Sequence, residues 1–115
     1  MSRDVTFFLE DIEIACEKIL RFTQQMDFNE FVRDEKTYDA VIRNLEIIGE
    51  AAKRLPDETS KQISGIEWKK IKGLRDVIAH EYFGIDTEIV WSVVHNKIPE
   101  LHQVIQKYRR SLQKV

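Results

Sequence analysis

With 115 residues, 43% of them hydrophobic and 33% charged, the chain has enough apolar side chains to bury one core, which excludes a disordered tail. Four glycines and two prolines exclude a collagen-like or low-complexity composition, and a formal charge of −2 argues against coating of nucleic acid by bulk electrostatics. One mostly helical domain over residues 1–115 is expected. The longest uncharged stretch, residues 89–96, falls far short of the roughly 18 apolar residues of a membrane span. Arg3, Asp4, Glu10 and Asp11 interrupt the start before a secretory core of about 7 to 15 apolar residues develops, so the expected location is cytoplasmic. Cys16 is alone, which leaves no disulfide framework and no thiolate zinc centre.

Charge is unevenly divided. Residues 1–66 carry 9 basic and 14 acidic side chains, whereas residues 67–115 carry 9 and 6. The second half is therefore the side suited to phosphate, although Lys69, Lys70, Lys72, Lys107, Arg109, Arg110 and Lys114 also fit solvated helix faces.

Val5, Phe8, Ile12, Ala15, Ile19, Phe22 and Met26 recur at steps of three and four, which predicts a helix over about 4–25. A polar bridge over 27–36, with room for a short helical turn, follows. Tyr38, Val41, Leu45, Ile48, Ala52 and Leu55 repeat the stripe up to Pro56, predicting a second helix over about 37–55. Ser64-Gly65-Ile66-Glu67 has capping-box spacing, so a third helix should start there and bury Trp68, Ile71, Leu74 and Ile78 before ending near Gly84. Asp86 suits the cap of a fourth segment carrying Ile89, Val90, Val93 and Val94. Pro99 then marks a break or a fresh first turn before Leu101, Ile105, Tyr108 and Leu112. No strand alternation or repeat is present, and the expected architecture is an all-α antiparallel four-helix bundle with short additional helices.

Several familiar sites fail on their residues. His80-Glu81-Tyr82-Phe83-Gly84 starts like H-E-x-x-H but has Gly84 where the second zinc ligand belongs. His95 and His102 are separated by Pro99, with no thiol or carboxylate at metal-site spacing. The run around Gly49 has too few glycines to cradle a phosphate, and Gly49 better suits close helix packing. Cys16 sits on the buried stripe as a small hydrophobe. No metal and no cofactor are expected.

What remains is Arg75-Asp76-Val77-Ile78-Ala79-His80-Glu81-Tyr82, which places a guanidinium, a carboxylate, an imidazole and a phenol within about two helical turns. On an ideal helix Asp76 and His80 fall close to one line, while Arg75 and Tyr82 share another about 140° away. Convergence of Arg75 with His80 then needs a distorted helix end near Gly84 or a second copy across a two-fold axis, and a composite site at a homodimer interface is the preferred geometry. By spacing alone, Arg75 and Asp76 also fit solvent-facing positions with His80 packed near the helix end and Tyr82 at the bundle rim.

Arg75 to Tyr82 resembles the R-x4-H-x-Y motif of the HEPN superfamily. Arg43-Asn44-Leu45-Glu46-Ile47-Ile48-Gly49-Glu50-Ala51 and Trp68-Lys69-Lys70-Ile71-Lys72-Gly73-Leu74-Arg75-Asp76 are similar to its HepT toxin branch, as are Val90-Trp91 and Ile98-Pro99-Glu100-Leu101. The similarity runs from Asp4 to about Leu101. Glu67 departs from it, standing where the family commonly has Pro before the Trp. The resemblance implies an all-α homodimer acting as a metal-independent RNA endonuclease, the toxin of a type VII HEPN/MNT pair. Its implied partner is a small nucleotidyltransferase antitoxin that transfers AMP to the motif tyrosine. It further implies Arg75 and His80 as the catalytic pair, Asp76 in support of the histidine and Tyr82 as the AMP acceptor, with RNA and not DNA as substrate.

These residue types suit the reaction. RNA carries its own nucleophile, the 2′-hydroxyl, so cleavage needs a proton acceptor, a proton donor and positive charge on the phosphate. An imidazole titrates near neutrality and serves both proton steps, while a guanidinium offers a permanently charged fork to phosphate oxygens. Asp76, one turn from His80, would orient the ring, and an AMP on Tyr82 would add bulk and negative charge where RNA must bind. A non-catalytic helical adaptor that binds a nucleotidyltransferase or nucleotide is the alternative from a different class, favoured by the acidic first half. A bundle with no site is the third.

Overall fold

The structure, a computed structural model, describes the backbone of residues 2–80 and 86–113, and the side chains of these residues apart from 2–4, 75–77, 79 and 80. Helix α1 (Ser2–Phe22) buries Leu9, Ile12, Ala15, Cys16 and Ile19 on one face. It ends about one turn short of the predicted boundary. Thr23 turns its hydroxyl back onto the Ile19 carbonyl at 2.8 Å, and Gln25 takes the left-handed conformation at φ 64°.

The predicted polar bridge contains helix α2 (Phe28–Arg33), opened by a reciprocal capping box. The Glu30 N–H donates to Asp27 Oδ1 at 2.8 Å, and the Asp27 N–H donates to Glu30 Oε1 at 2.9 Å. This short helix contributes a core residue: Phe31 is fully buried, with its ring 5.4 Å from that of Tyr38 and 4.9 Å from that of Trp91. Asp34 then caps helix α3 (Glu35–Arg54) by accepting from the Thr37 N–H at 3.0 Å and the Thr37 hydroxyl at 2.9 Å. Those bonds hold the Asp34 carboxyl below the ordinary aspartate range, the backbone donor contributing most. Leu55 is extended, as the residue before a proline must be, and the helix stops there.

Helix α4 (Asp57–Gln62) lies where no apolar period predicted one; the Thr59 and Ser60 N–H groups close its first turn on the Pro56 carbonyl. Helix α5 (Trp68–His80) carries the motif. Asp86 caps helix α6 (Thr87–Ser92), its carboxylate accepting from the Glu88 N–H at 2.8 Å. A π-helical turn (Val93–Lys97) then leads directly into helix α7 (Ile98–Leu112). Pro99 has no N–H for the carbonyl one turn back, and just ahead of it the ladder widens, with the Ile98 N–H on the Val93 carbonyl. The fresh first turn expected at Pro99 is thus reached without a break.

Helix α1 packs against α3 and α7, and α3 packs in turn against α5. The all-α bundle of the sequence expectation is observed, with its core on Ile12, Ile19, Leu45, Ile48, Leu101 and Ile105 among others. Of the apolar positions assigned to the inward stripes, Ile89 and Leu112 turn outward, 63% and 48% exposed. No helix among the described residues is long and apolar enough to cross a membrane.

Candidate functional site

The motif helix is aimed by the turn that precedes it. Gly65 sits at φ +88°, a conformation that disfavours a side chain, and the chain then enters α5. The expected capping box at Ser64 does not start this helix. Its first hydrogen bonds run from the Lys70 and Ile71 N–H groups to the Glu67 carbonyl, at 3.0 and 3.1 Å. The Glu67 carboxylate is drawn instead to Lys70 Nζ at 3.1 Å and Lys97 Nζ at 3.3 Å, which hold it below the ordinary glutamate range. Trp68 Nε1 donates to the Ile63 carbonyl at 3.1 Å, closing the turn.

From that anchor α5 buries Ile71 and Ile78, with Trp68 and Leu74 packed at the edge of the core. The predicted inward face is therefore observed. The backbone of Arg75, Asp76 and His80 lies within α5, whereas their side chains lie outside the described residues. Tyr82 and Gly84 lie wholly outside them. On the facing helix α3 the stretch from Arg43 to Ala51 divides by face: Asn44, Leu45, Ile48, Gly49 and Ala51 are buried, and Asn44 Nδ2 donates to the Ala40 carbonyl at 2.8 Å.

The positive excess of residues 67–115 is partly consumed by the acidic first half. Arg109 forks between Glu13 and Glu10, His102 Nε2 lies 3.1 Å from Glu17 Oε2, and Lys72 Nζ is 3.9 Å from Asp57. The basic face is accordingly smaller than the sequence count implies. Nor is the groove between α1 and α3 suited to phosphate: about 440 Å³ in volume, it is lined by Asp11, Glu46 and Glu50, which outnumber Arg43 and Arg54. A second hollow of about 110 Å³, beside α5 and α7, is lined by Ile66, Ile71, Leu74, Val93 and Leu101 and is too small for a nucleotide.

Cys16 is fully buried, and burial next to Glu17 and Glu13 pushes its thiol up to about 12, consistent with a packing role. His95 packs against Trp91 with ring centroids 4.1 Å apart. His102 corrects the sequence expectation, since carboxylates from α1 do stand beside it in space.

The family model for "Ribonuclease HepT-like" proteins matches residues 12–108, which includes the whole of α5. Among curated relatives, "Putative RNase MJ0127" of Methanocaldococcus jannaschii is 44% identical over 109 residues, covering 91% of this chain and 90% of that protein. "Probable ribonuclease HepT" of Thermococcus cleftensis is 41% identical over 110 residues, covering 96% of this chain and 100% of the relative. "Putative RNase TTE0752" of Caldanaerobacter subterraneus is 40% identical over 100 residues, covering 87% and 89%. No solved structure gives a significant match. The chain belongs to the HepT-like ribonuclease family, within the HEPN superfamily.

Proposed function

We propose that this chain is a single-domain ribonuclease toxin of a type VII HEPN/MNT pair, cutting RNA internally without a metal ion and working in the cytoplasm as a homodimer. Membership of a ribonuclease family, with Arg75, His80 and Tyr82 in motif register in the sequence and the backbone of Arg75 and His80 on one helix, carries this reading. His80 acts as proton acceptor for the 2′-hydroxyl and as donor for the departing 5′-oxygen, the product retaining a cyclic phosphate. Arg75 holds the phosphate oxygens and offsets the charge of the transition state. Asp76 supports the histidine ring one turn away. Because Arg75 and His80 fall on different lines of one helix, each site draws on both protomers. AMP transferred to Tyr82 by a cognate nucleotidyltransferase antitoxin then occludes the site and repels RNA.

The decisive experiment is incubation of the purified chain with RNA in EDTA. Cleavage that His80→Ala and Arg75→Ala abolish, with a loss of about 10²-fold or more, is the expected result. Equal cleavage by wild type and both variants would remove the site assignment. Intact RNA after long incubation, alongside a stable complex with the transferase, would replace the nuclease with a non-catalytic adaptor.

A further inference from the structure

Away from α5, the seam between α1 and α7 gathers charged groups that the proposed reaction leaves unused. Glu10, Glu13 and Glu17 stand three and four residues apart, so they form one acidic line along α1, where like charges repel. Facing them from α7 are His102 and Arg109, seven residues apart. Arg109 takes one oxygen of Glu13 and reaches Glu10 Oε2 at 3.6 Å, which leaves the second Glu13 oxygen uncommitted by that pair. His102 Nε2 stands 3.1 Å from Glu17 Oε2. Three carboxylates against one guanidinium leave a local charge of −2 when the imidazole is neutral.

We propose that Glu13, Glu17 and His102 form a divalent transition-metal site joining α1 to α7, with Zn²⁺ as its preferred ion. One ligand atom from each of the three side chains lies within 4.8 Å of the other two. Two ligands of a tetrahedral Zn²⁺ stand about 3.3 Å apart, given Zn–N and Zn–O bonds near 2.0–2.1 Å, so the His102–Glu17 separation already matches the required bite. The Glu13 side chain is 12% exposed and that of His102 20%, so both are largely withdrawn from water, while Glu17, at 46%, leaves the side through which an ion and its water ligand enter. The donor set of one imidazole and two carboxylates suits a borderline ion such as Zn²⁺ better than Mg²⁺, which prefers oxygen alone. Arg109 acts as a positioning residue, fixing the Glu13 carboxylate by its fork. The ion would fasten the C-terminal helix to the N-terminal one, and this site stands independently of the nuclease reading.

The test is titration of the chelator-stripped full chain with Zn²⁺ alone, followed by calorimetry and by the thermal midpoint, with Co²⁺ as a spectroscopic substitute. One Zn²⁺ per chain, a raised midpoint, visible Co²⁺ d–d absorption and retention in excess Mg²⁺ are expected. Glu17→Gln, which keeps the shape of an exposed side chain, and His102→Gln should each weaken Zn²⁺ binding by about tenfold or more, because even outer-shell losses at metal sites reach that size. A Glu88→Gln control at the distant cap of α6 should bind as wild type does. Absence of saturable Zn²⁺ binding, or binding that Glu17→Gln and His102→Gln leave unchanged, would overturn the proposal.

Discussion

Trp68 opens the motif helix with its indole Nε1 donating to the carbonyl of Ile63, 3.1 Å away and five residues earlier, so the entry angle of α5 is fixed by a bond across the Gly65 turn. Nothing stands within 4 Å of a Cβ built at Gly65, so its φ of +88° is the whole reason for glycine there. Gly65→Ala should therefore cost about 1 kcal/mol through backbone strain alone. Trp68→Phe, which keeps the ring and deletes the donor, should cost about the same by leaving the Ile63 carbonyl short of a partner. Thermal melts should show each variant a few degrees below wild type, on the order of 4 °C. An unchanged midpoint for both would mean that the turn does not set the entry to α5.

Glu67 supplies the acid-side prediction. Its folded carboxyl is lowered below 4.5 by hydrogen bonds from Lys70 and then Lys97, so folding favours the ionised form. A lowered carboxyl contributes stability that is complete above the unfolded value and lost as pH falls through the folded one. The difference in melting midpoint between wild type and Glu67→Gln should be steady at neutral pH and shrink once pH drops below about 4.5. High salt should shrink it as well, because the pair is exposed and screened. A difference that persists at low pH would show that Glu67 acts through something other than its charge.

Cys16 makes the alkaline counterpart. Burial and the neighbouring Glu17 and Glu13 raise its thiol to about 12, from 9.0. The folded chain thus keeps a proton that the unfolded chain gives up, and stability should fall as pH rises above 9.0 toward 12. At pH 8 a soluble alkylating reagent should modify Cys16 only as fast as the chain opens, and at once in denaturant. Rapid labelling of the native chain would contradict the burial.

How much of this was legible in the sequence depended on whether the deciding contact was local. The stripes of α1 and α3 were readable because burial at every third or fourth residue is a property of one helix, and Pro56 and Asp86 mark ends by their own backbone chemistry. The S-x-x-E pattern at Ser64 misled because the Glu67 carboxylate is shared between Lys70 and Lys97, and the second of these, thirty residues on, is not revealed by any window around the cap. Phe31 was hidden by Asp27, Asn29, Glu30 and Arg33, whose charge and polarity masked a single aromatic aimed at Tyr38 and Trp91. Helix α4 has no apolar stripe; Gln62 accepts from the Tyr108 hydroxyl at 2.7 Å, a contact spanning 46 residues. His102 met Glu13 and Glu17 only once α7 lay along α1. The motif, by contrast, is a local string, readable in the sequence without any tertiary contact.

The proposed control of the nuclease reduces to one oxygen. Transfer of AMP to Tyr82 needs the phenolic hydroxyl as nucleophile, whereas RNA cleavage by Arg75 and His80 does not, so Tyr82→Phe should separate the two. The variant keeps the ring and any packing it provides, and should cleave RNA within about twofold of wild type, as expected of a residue outside the proton-transfer steps. Incubated with the cognate transferase and ATP, wild type should gain the mass of one or more AMP units and lose activity in proportion, because each adds a phosphodiester charge beside the RNA path. The variant should gain no mass and remain active. If it is still modified and silenced, the acceptor is another residue. If it is unmodified yet inactive, Tyr82 belongs to the cleavage machinery, and inhibition by occlusion alone no longer accounts for the motif.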